Sequence, residues 1–145
     1  MSAPTVRLAA DADLPAVYAL RHEVFVVGQD VPEVLERDEH DATCDHAVAL
    51  LDGEVVGTGR LVAREDGTGV VGRMAVAADR RGTGTGAALL ARLEERARER
   101  GLSAVELHAQ VHARRFYERA GYAAFGDEYV EAGIDHVSMR KQLRG

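Results

Sequence analysis

The chain has 145 residues, of which 46% are hydrophobic and 29% charged, and its formal net charge is −6. These values are typical of a globular protein large enough to bury a core, and the acidic balance argues against nucleic acid as a partner. Cys44 is the only cysteine, which excludes an internal disulfide and agrees with a cytoplasmic location. No apolar stretch approaches the roughly 20 residues that span a bilayer, and residues 1–5 lack the start of a signal peptide. We therefore expect one domain over residues 1–145, with neither a membrane nor a nucleic-acid partner.

The first 45 residues predict a strand, a helix and an acidic connector. Residues 5–8 alternate as in a half-buried strand. Asp11 or Asp13 can cap a helix whose first turn contains Pro15, and its mostly apolar stripe continues until Gly28. The polar, acidic residues that follow predict a connector with one short helix. The connector spans residues 31–45 and its helix lies around residues 33–36.

Two hairpin signals organise the next part of the chain. Asp52-Gly53 and Asp66-Gly67 are dipeptides that favour tight turns between antiparallel strands. The segments on either side of them are rich in β-branched and aliphatic residues. We therefore predict a three-stranded antiparallel meander. Its strands are residues 46–51, 54–62 and 70–76.

A glycine-rich loop, residues 80–88, follows the last strand of this meander. Gly82, Gly84 and Gly86 occupy alternate positions, so the backbone can curl and direct successive N–H groups inward. The helix that begins there adds its own unpaired N–H groups and the positive end of its dipole. Arg80 and Arg81 add positive charge at the rim. The loop is therefore predicted to hold a pyrophosphate.

Three kinds of phosphate-binding loop compete for this stretch. A P-loop requires Lys and Ser or Thr after its last glycine, where this chain has Ala87-Ala88. The Rossmann fingerprint fits residues 82–87 with Glu106 downstream, but it requires several βαβ units, and residues 77–81 separate the strand from the first glycine. The third pattern, R/Q-x-x-G-x-G/A, is matched by residues 81–86. This is the acetyl-CoA loop of the Gcn5-related N-acetyltransferases (GNAT), which the stretch resembles.

The C-terminal part predicts further alternation of helices and strands. The helix after the loop ends at Arg100-Gly101, and the strand that follows it should pair in parallel with residues 70–76. Gly121 closes a second helix. The predicted elements are a strand at residues 104–108, a helix at 111–120, a strand that begins with residues 122–125, and a last strand at 135–139. Together these elements indicate an α/β domain.

A second block, residues 110–122, strengthens the resemblance. It is similar to the GNAT pattern N-x-x-A-x-x-x-Y-x-x-x-G-F/Y through Ala113, Tyr117, Gly121 and Tyr122, with Gln110 in place of the usual Asn. Three other segments are similar to the bacterial branch typified by ElaA and YjcF, although that branch often has Glu where this chain has Gly28. These segments are residues 21–29, the pair Asp38 and Asp41, and residues 133–139. The resemblance covers essentially the whole chain.

The resemblance implies an α/β fold with a central mixed sheet that splays apart at residues 70–76 and 104–108. Acetyl-CoA would lie between these strands, held by backbone groups of the first strand and by the amides of the glycine loop. Tyr117 would act as the general acid that protonates the departing CoA thiolate. The cofactor-binding residues implied in this way are Met74, Ala75, Val76, Arg81, Gly82, Thr83, Gly84, Thr85, Gly86, Ala87 and Gln110.

The general base is not identified by the sequence. Many GNAT members use a Glu on the strand before the glycine loop, but residues 70–76 contain no carboxylate. An acceptor amine attacks in its neutral form and therefore requires a base or a neutral fraction. The candidates are Glu23, Asp38, Glu39, Asp41, Glu106 and His112.

The acceptor side is predicted from charge. The acidic connector and a second acidic stretch, residues 127–135, would border the cleft in this family and attract a cationic amine, while Arg60 and Arg73 could bind a substrate carboxylate. We therefore expect a small primary amine as acceptor. A protein lysine or N-terminus and a silent acetyl-CoA sensor stay open as alternatives, as does a homodimer. The candidate substrate residues are Arg21, Phe25, Asp38, Asp41, Arg60, Arg73 and His136.

No metal is expected. Asp38, His40, Cys44 and His46 superficially suggest a metal site, but their spacing fits no known zinc pattern. Cys44 is also not expected to carry an acyl group, since no activating helix end is evident near it.

Overall fold

A seven-stranded mixed sheet runs through the computed structural model, which describes residues 3–143. The first two and last two residues of the predicted domain lie outside this range. The strands are β1 Thr5–Leu8, β2 Asp45–Leu51, β3 Glu54–Ala63, β4 Thr68–Val76, β5 Ala104–Gln110, β6 Ala123–Glu131 and β7 Ile134–Gln142. Their order is β1-β2-β3-β4-β5-β7-β6, and β4 pairs with β5 in parallel while the other neighbours are antiparallel. The predicted mixed sheet and the parallel β4–β5 pair are confirmed.

Helices cover the sheet between these strands. They are α1 Leu14–Arg21, α2 Glu33–Glu36, α3 Thr85–Glu99 and α4 Arg114–Arg119, and α1 continues as a π-helical segment over His22–Val27. Short 3-10 turns lie at residues 11–13, 39–42, 78–80 and 111–113. Among residues 3–143, no helix has the length and apolar character that crossing a membrane requires.

The main core lies between α3 and one face of the sheet. Leu89, Leu90 and Leu93 recur at helical spacing on α3 and are at most 1% exposed, and they pack with Val105 and Leu107 of β5. Burying such a side chain stabilises the fold by about 1.5–3 kcal/mol. The amphipathic pattern of α3 therefore fixes the side of the sheet on which the helix lies.

The hairpins follow the sequence closely, whereas the predicted helix cap is wrong. Asp52 and Gly53 both have positive φ, 52° and 81°, as the tight turn between β2 and β3 requires. Asp13 immediately precedes α1 but does not cap it with its side chain. Its carboxylate instead accepts hydrogen bonds from Arg7, at 2.7 Å, and from the backbone N–H of Ala10. The Asp13 carboxylate is therefore engaged by Arg7 of β1 and is not available to cap α1.

The last two strands are longer than predicted. Strands β6 and β7 extend to the turn at Ala132 and Gly133, where both residues have positive φ. Residues 126–131 are polar and mostly exposed, so their sequence lacks the alternation that marks a half-buried strand. Pairing with β7 nevertheless keeps them extended, with Tyr129 opposite His136.

A β-bulge at Arg73 opens the centre of the sheet. Thr58 pairs with Ala75 and Arg60 with Gly72, so β4 carries one more residue than β3 across this interval. Arg73 has a φ of 54°, a left-handed conformation that non-glycine residues adopt at a cost of about 1–2 kcal/mol. A bulge bends its strand, and the last β4–β5 pair is Val71 with Leu107. Beyond that pair the two parallel strands separate, as the resemblance implied.

Candidate active site

The separation of β4 and β5 leads into a cavity of about 670 Å³. Apolar side chains from the π-helical segment, β4 and β5 form much of its wall, including Phe25, Val70 and Leu107. Polar groups enter from several elements, and Tyr117 reaches the cavity from α4. Sites for small molecules commonly measure about 300–1,000 Å³ and combine apolar walls with a few polar groups. This cavity has the size and lining of such a site.

The glycine loop stands at the N-terminus of α3. Gly82 and Gly84 have φ of 76° and 85°, and an added Cβ at either position would meet no neighbouring atom within 4 Å. The first helical hydrogen bond runs from the N–H of Ala88 to the carbonyl of Gly84, at 3.1 Å. The N–H groups of residues 85–87 precede it and have no acceptor within the helix. The loop thus offers open space and unpaired donors of the kind that hold phosphate oxygens.

One expectation about the loop is wrong. The alternate spacing of Gly82, Gly84 and Gly86 suggests that all three share one backbone role, but among the glycines of residues 3–143 those with left-handed φ do not include Gly86. Gly86 lies inside α3, and a Cβ there would contact the Phe116 ring at 3.4 Å, an ordinary van der Waals distance. Gly82 and Gly84 are therefore the two positions of this loop at which backbone conformation requires glycine.

The backbone of β4 supplies further groups at the opening. Ala77 donates its N–H to the carbonyl of Val56 on β3 at 2.8 Å. Because antiparallel pairing alternates, Ala75 also directs its N–H and carbonyl toward β3, and this departs from its predicted contact with the cofactor. Met74 and Val76 direct theirs to the side on which β5 has separated, where Arg81 approaches the Val76 carbonyl at 3.3 Å. The backbone groups of Met74 and Val76 therefore face the opening between β4 and β5.

Tyr117 lies among aromatic rings at the edge of the cavity. Its ring meets Phe116 and Tyr122 edge-on, with centroid distances of 4.9 and 6.0 Å. Burial raises the pKa of Tyr117 to about 12. The hydroxyl is therefore protonated at neutral pH, and no protein group among residues 3–143 accepts a hydrogen bond from it. It is available as a donor to a bound molecule.

Three carboxylates of the connector and three arginines from other elements form a buried ion-pair network. Its members are Glu36, Asp38, Asp41, Arg21, Arg60 and Arg73. Arg21 is fully buried and donates to Glu36 at 2.7 Å and to Asp41 at 2.7 Å. Burial raises the pKa of the Asp41 carboxyl, but hydrogen bonds from Arg21 and from the Asp38 backbone outweigh this effect and hold the pKa well below its usual range. The three carboxylates are thus compensated by arginines inside the protein. They do not form the strongly acidic cavity mouth that the sequence predicted.

The network corrects part of the predicted substrate set. Arg21 and Asp41 are both buried and do not line the cavity. Arg60 reaches the cavity, but both of its terminal nitrogens donate to Asp38, at 2.7 and 2.8 Å. Together with Arg60, five of the seven predicted substrate residues line the cavity. The other four are Phe25, Asp38, Arg73 and His136.

Arg73 is the least compensated cation of the network. Its Nε donates to the Glu36 carbonyl at 2.8 Å and its Nη2 to the Leu35 carbonyl at 3.2 Å, while the Asp38 carboxylate lies 3.5 Å away. Burial, and then repulsion from Arg60 and Arg21, lowers the pKa of Arg73. An anionic group bound in the cavity would relieve that repulsion.

A group of four polar residues on β5, β6 and β7, which we call the histidine cluster, occupies the opposite wall. It consists of His108, Tyr129, Glu131 and His136. His136 is 6% exposed, its Nδ1 lies 2.7 Å from the Ile134 carbonyl, and its Nε2 lies 3.8 Å from a Glu131 oxygen. The Tyr129 hydroxyl contacts His108 Nδ1. The sequence predicted His136 as a substrate residue and placed Glu131 in the second acidic stretch, but it did not single out His108 or Tyr129. The two-residue spacing of His108 and Gln110 on one strand places them on one face.

Gln110 joins β5 to Gln29, two residues beyond the π-helical segment. Its amide exchanges two hydrogen bonds with Gln29, at 2.9 and 3.3 Å, across the top of the opening. Gln29 lines the cavity and was not predicted as a site residue. Because Gln110 is occupied by this contact, its implied role at the cofactor requires one of these hydrogen bonds to be exchanged.

The predicted base candidates are mostly engaged elsewhere. Asp38 and Asp41 belong to the ion-pair network, and Glu106 pairs with Arg64 at 2.6 Å and Arg140 at 3.2 Å. Glu23 and Glu39 are exposed side chains that do not line the cavity. His112 lines the cavity and contacts Gln110.

The suspected metal residues assemble only in part. Cys44 and His46 come together with Asp41, their ligand atoms lying within 4.8 Å of one another. The Asp41 oxygens, however, accept hydrogen bonds from Arg21 and Arg60, whose positive charges oppose a cation. Burial raises the pKa of the Cys44 thiol to about 11, which disfavours the thiolate that a metal or an acyl group requires. The absence of a metal stays a prediction.

Comparison with known proteins decides the family. A family model described as "Acetyltransferase (GNAT) domain" matches residues 9–143. The chain belongs to the GNAT acetyltransferase family. It is 37% identical over 133 residues to the uncharacterized N-acetyltransferase YjcF of Bacillus subtilis, covering 90% of this chain and 94% of that protein. The ElaA/YjcF-type resemblance is confirmed.

Two solved structures match over nearly their whole length. An acyl-CoA N-acyltransferase from Pseudomonas aeruginosa is 34% identical, with a TM-score of 0.84, over 95% of this chain and 99% of that one. Escherichia coli ElaA is 27% identical, with a TM-score of 0.85 and the same coverage. These matches confirm the GNAT fold. The protein is thus an N-acetyltransferase of a family that uses acetyl-CoA.

Proposed function

We propose that this GNAT member transfers the acetyl group of acetyl-CoA to a small primary amine by direct attack in a ternary complex. The observation that carries the proposal is the opening of the sheet after Val71 and Leu107, bordered by the glycine loop at one end and the cavity at the other. Acetyl-CoA would supply an activated thioester, with its pyrophosphate on the N–H groups of residues 82–87 and its pantetheine along Met74 and Val76.

The glycine loop supports the cofactor half of the proposal. The loop has two left-handed glycines, open space above them and a 15-residue helix whose positive end faces the loop. Arg81 adds a charged donor at the cavity edge. Such donors neutralise a diphosphate locally, which the protein's overall charge of −6 cannot do.

Tyr117 is proposed as the hydrogen-bond donor to the departing thiolate. With a pKa of about 12, it keeps its proton at any physiological pH. Full transfer to a thiolate whose thiol has a pKa of about 8.5 would cost about 5 kcal/mol. Tyr117 therefore acts first by stabilising the negative charge that develops on the CoA sulfur. It passes its proton to that sulfur only as solvent returns a proton to the Tyr117 hydroxyl.

The cavity supports a small acceptor. Its volume of about 670 Å³ falls in the range of small-molecule sites, and its acceptor-side wall combines Phe25 and Val31 with Arg73. Because the connector carboxylates are internally paired, attraction of a polycation is less favoured than the sequence indicated. An amine that also carries a carboxylate, such as an amino acid, would use Arg73.

Two measurements test the proposal. Calorimetry should detect acetyl-CoA binding, and a CoA-release screen of amino acids, polyamines, aminosugars and basic peptides should find turnover with a small amine. Tyr117→Phe should lower kcat about 100-fold while leaving acetyl-CoA affinity unchanged. Tight binding without turnover on any amine would favour the sensor alternative, and activity confined to peptides would favour a protein acetyltransferase.

A further inference from the structure

The histidine cluster contains a histidine whose two ring nitrogens are distinguished by their surroundings. His136 Nδ1 lies 2.7 Å from the Ile134 carbonyl, and a carbonyl oxygen can only accept a hydrogen bond. In the neutral ring, Nδ1 therefore carries the proton and Nε2 carries the lone pair. The fixed tautomer leaves Nε2 as the basic nitrogen of this side chain.

His136 is also held in position. It is 6% exposed, it stacks on the Tyr129 ring at 5.9 Å with an interplanar angle of 22°, and its residue pairs with Gln110 across the β5–β7 ladder. It lines the same cavity as Tyr117. A buried ring with one fixed tautomer is preorganised in a way that the exposed His108 is not.

We propose that His136 Nε2 is the general base that accepts the proton of the attacking amine, with Glu131 stabilising the resulting imidazolium. The proposal rests on the proposed acetyl transfer and deepens it by naming the base. Glu131 lies 3.8 Å from Nε2, close enough to favour a positive ring without blocking the nitrogen. The carboxylates predicted as bases are paired with arginines or lie outside the cavity, whereas His136 lines it.

The reaction balances with these two residues. The amine nitrogen forms a bond to the thioester carbonyl carbon, one N–H proton passes to His136 Nε2, and the carbon–sulfur bond breaks. The electron pair of that bond goes to the CoA sulfur, which receives a proton through Tyr117. The products are the amide and free CoA, and solvent takes the proton from His136 and returns one to Tyr117. No oxidant, reductant or metal is required.

The groups that surround His136 determine its pH behaviour. Glu131 and Tyr129 face it from β6, and His108 of β5 packs against the same Tyr129 ring. Across the cavity lie His112, Tyr117, Arg81 and the compensated group of Asp38, Arg60 and Arg73. Glu131 is the charged group closest to Nε2 among these, at 3.8 Å.

The test compares kcat/KM between pH 5 and 9 for the parent protein and His136→Gln, using the best amine from the screen. We expect kcat/KM to fall at least 100-fold in the variant, with unchanged acetyl-CoA affinity and loss of the acid limb that reflects imidazole protonation. Glu131→Gln should keep that limb, because the imidazole is still present, and should lower kcat/KM less than His136→Gln does. His40→Gln changes an exposed histidine outside the cavity and should match the parent.

The outcomes separate this proposal from the proposed function. If the parent is active and His136→Gln keeps its rate and acid limb, the base assignment is wrong and the acetyl transfer stands. If His108→Gln removes the limb instead, the base is the other histidine of the cluster. If the parent acetylates no amine, the proposed function fails and the base assignment fails with it.

Discussion

Replacing Arg21 by methionine is expected to destabilise the protein strongly, because two buried carboxylates lose the cation that neutralises them. Glu36 and Asp41 are 4% and 5% exposed, and Arg21 holds both. Asp41 would retain Arg60 at 2.9 Å, but Glu36 would retain only Arg73 at 3.9 Å. Removing one partner of a buried ion pair typically costs about 3–5 kcal/mol. At about 2–4 °C per kcal/mol for a chain of this size, Tm should fall by on the order of 10 °C.

The pH dependence gives the prediction a sign. The folded-state pKa of Asp41 is lowered, so its ion pairs stabilise the parent above the unfolded carboxyl pKa of about 3.9 and lose this effect as pH falls toward the folded value. In Arg21→Met the carboxylates are poorly compensated, and acid protonates them in the folded state. The stability difference between parent and variant should therefore be largest near pH 7 and shrink below about pH 4.

Urea unfolding and thermal melts at pH 7 and at about pH 3 measure both effects. Arg7→Met is the matched control, because Arg7 makes an exposed ion pair with Asp13, and it should leave Tm close to that of the parent. An Arg21→Met protein as stable as Arg7→Met at pH 7, or a stability difference that grows with acid, would refute the reasoning.

Three further results are expected. Gly84→Val should weaken acetyl-CoA binding by about tenfold or more in a calorimetric titration, because a β-branched residue resists φ of 85°. Gly53→Val is the control, since it carries similar strain at φ of 81° in the β2–β3 hairpin and should leave the acetyl-CoA affinity unchanged. Gly86→Ala should keep acetyl-CoA affinity within about threefold, since φ there is helical and the added Cβ meets Phe116 at an ordinary distance; a loss as large as that of Gly84→Val would contradict this account. Cys44 should react with a thiol reagent at pH 8 far more slowly in the folded than in the urea-unfolded protein, because burial raises its pKa to about 11; equal rates would show that the thiol is accessible and ionised.

The sequence by itself determined the order of elements and the position of the glycine loop. The Asp-Gly dipeptides fix the meander because their turns need positive φ, which Asp52, Gly53 and Gly67 adopt. The glycine loop and the block around Tyr117 are equally local, since the conformations and groups they require lie within a few residues of one another. Such signals depend on the chain itself and therefore survive without knowledge of the tertiary fold.

Only the tertiary structure decided the acceptor side of the site. The connector acids look like an open anionic mouth in the sequence, but Arg21, Arg60 and Arg73 arrive from α1, β3 and β4 to compensate them. The bulge could not be predicted either, because a left-handed Arg73 costs energy that is offset by its hydrogen bonds to the Leu35 and Glu36 carbonyls. His136 and Glu131 form a pair only because β6 and β7 fold back on each other. Charge compensation and strain depend on contacts between distant segments, which no local pattern of residues encodes.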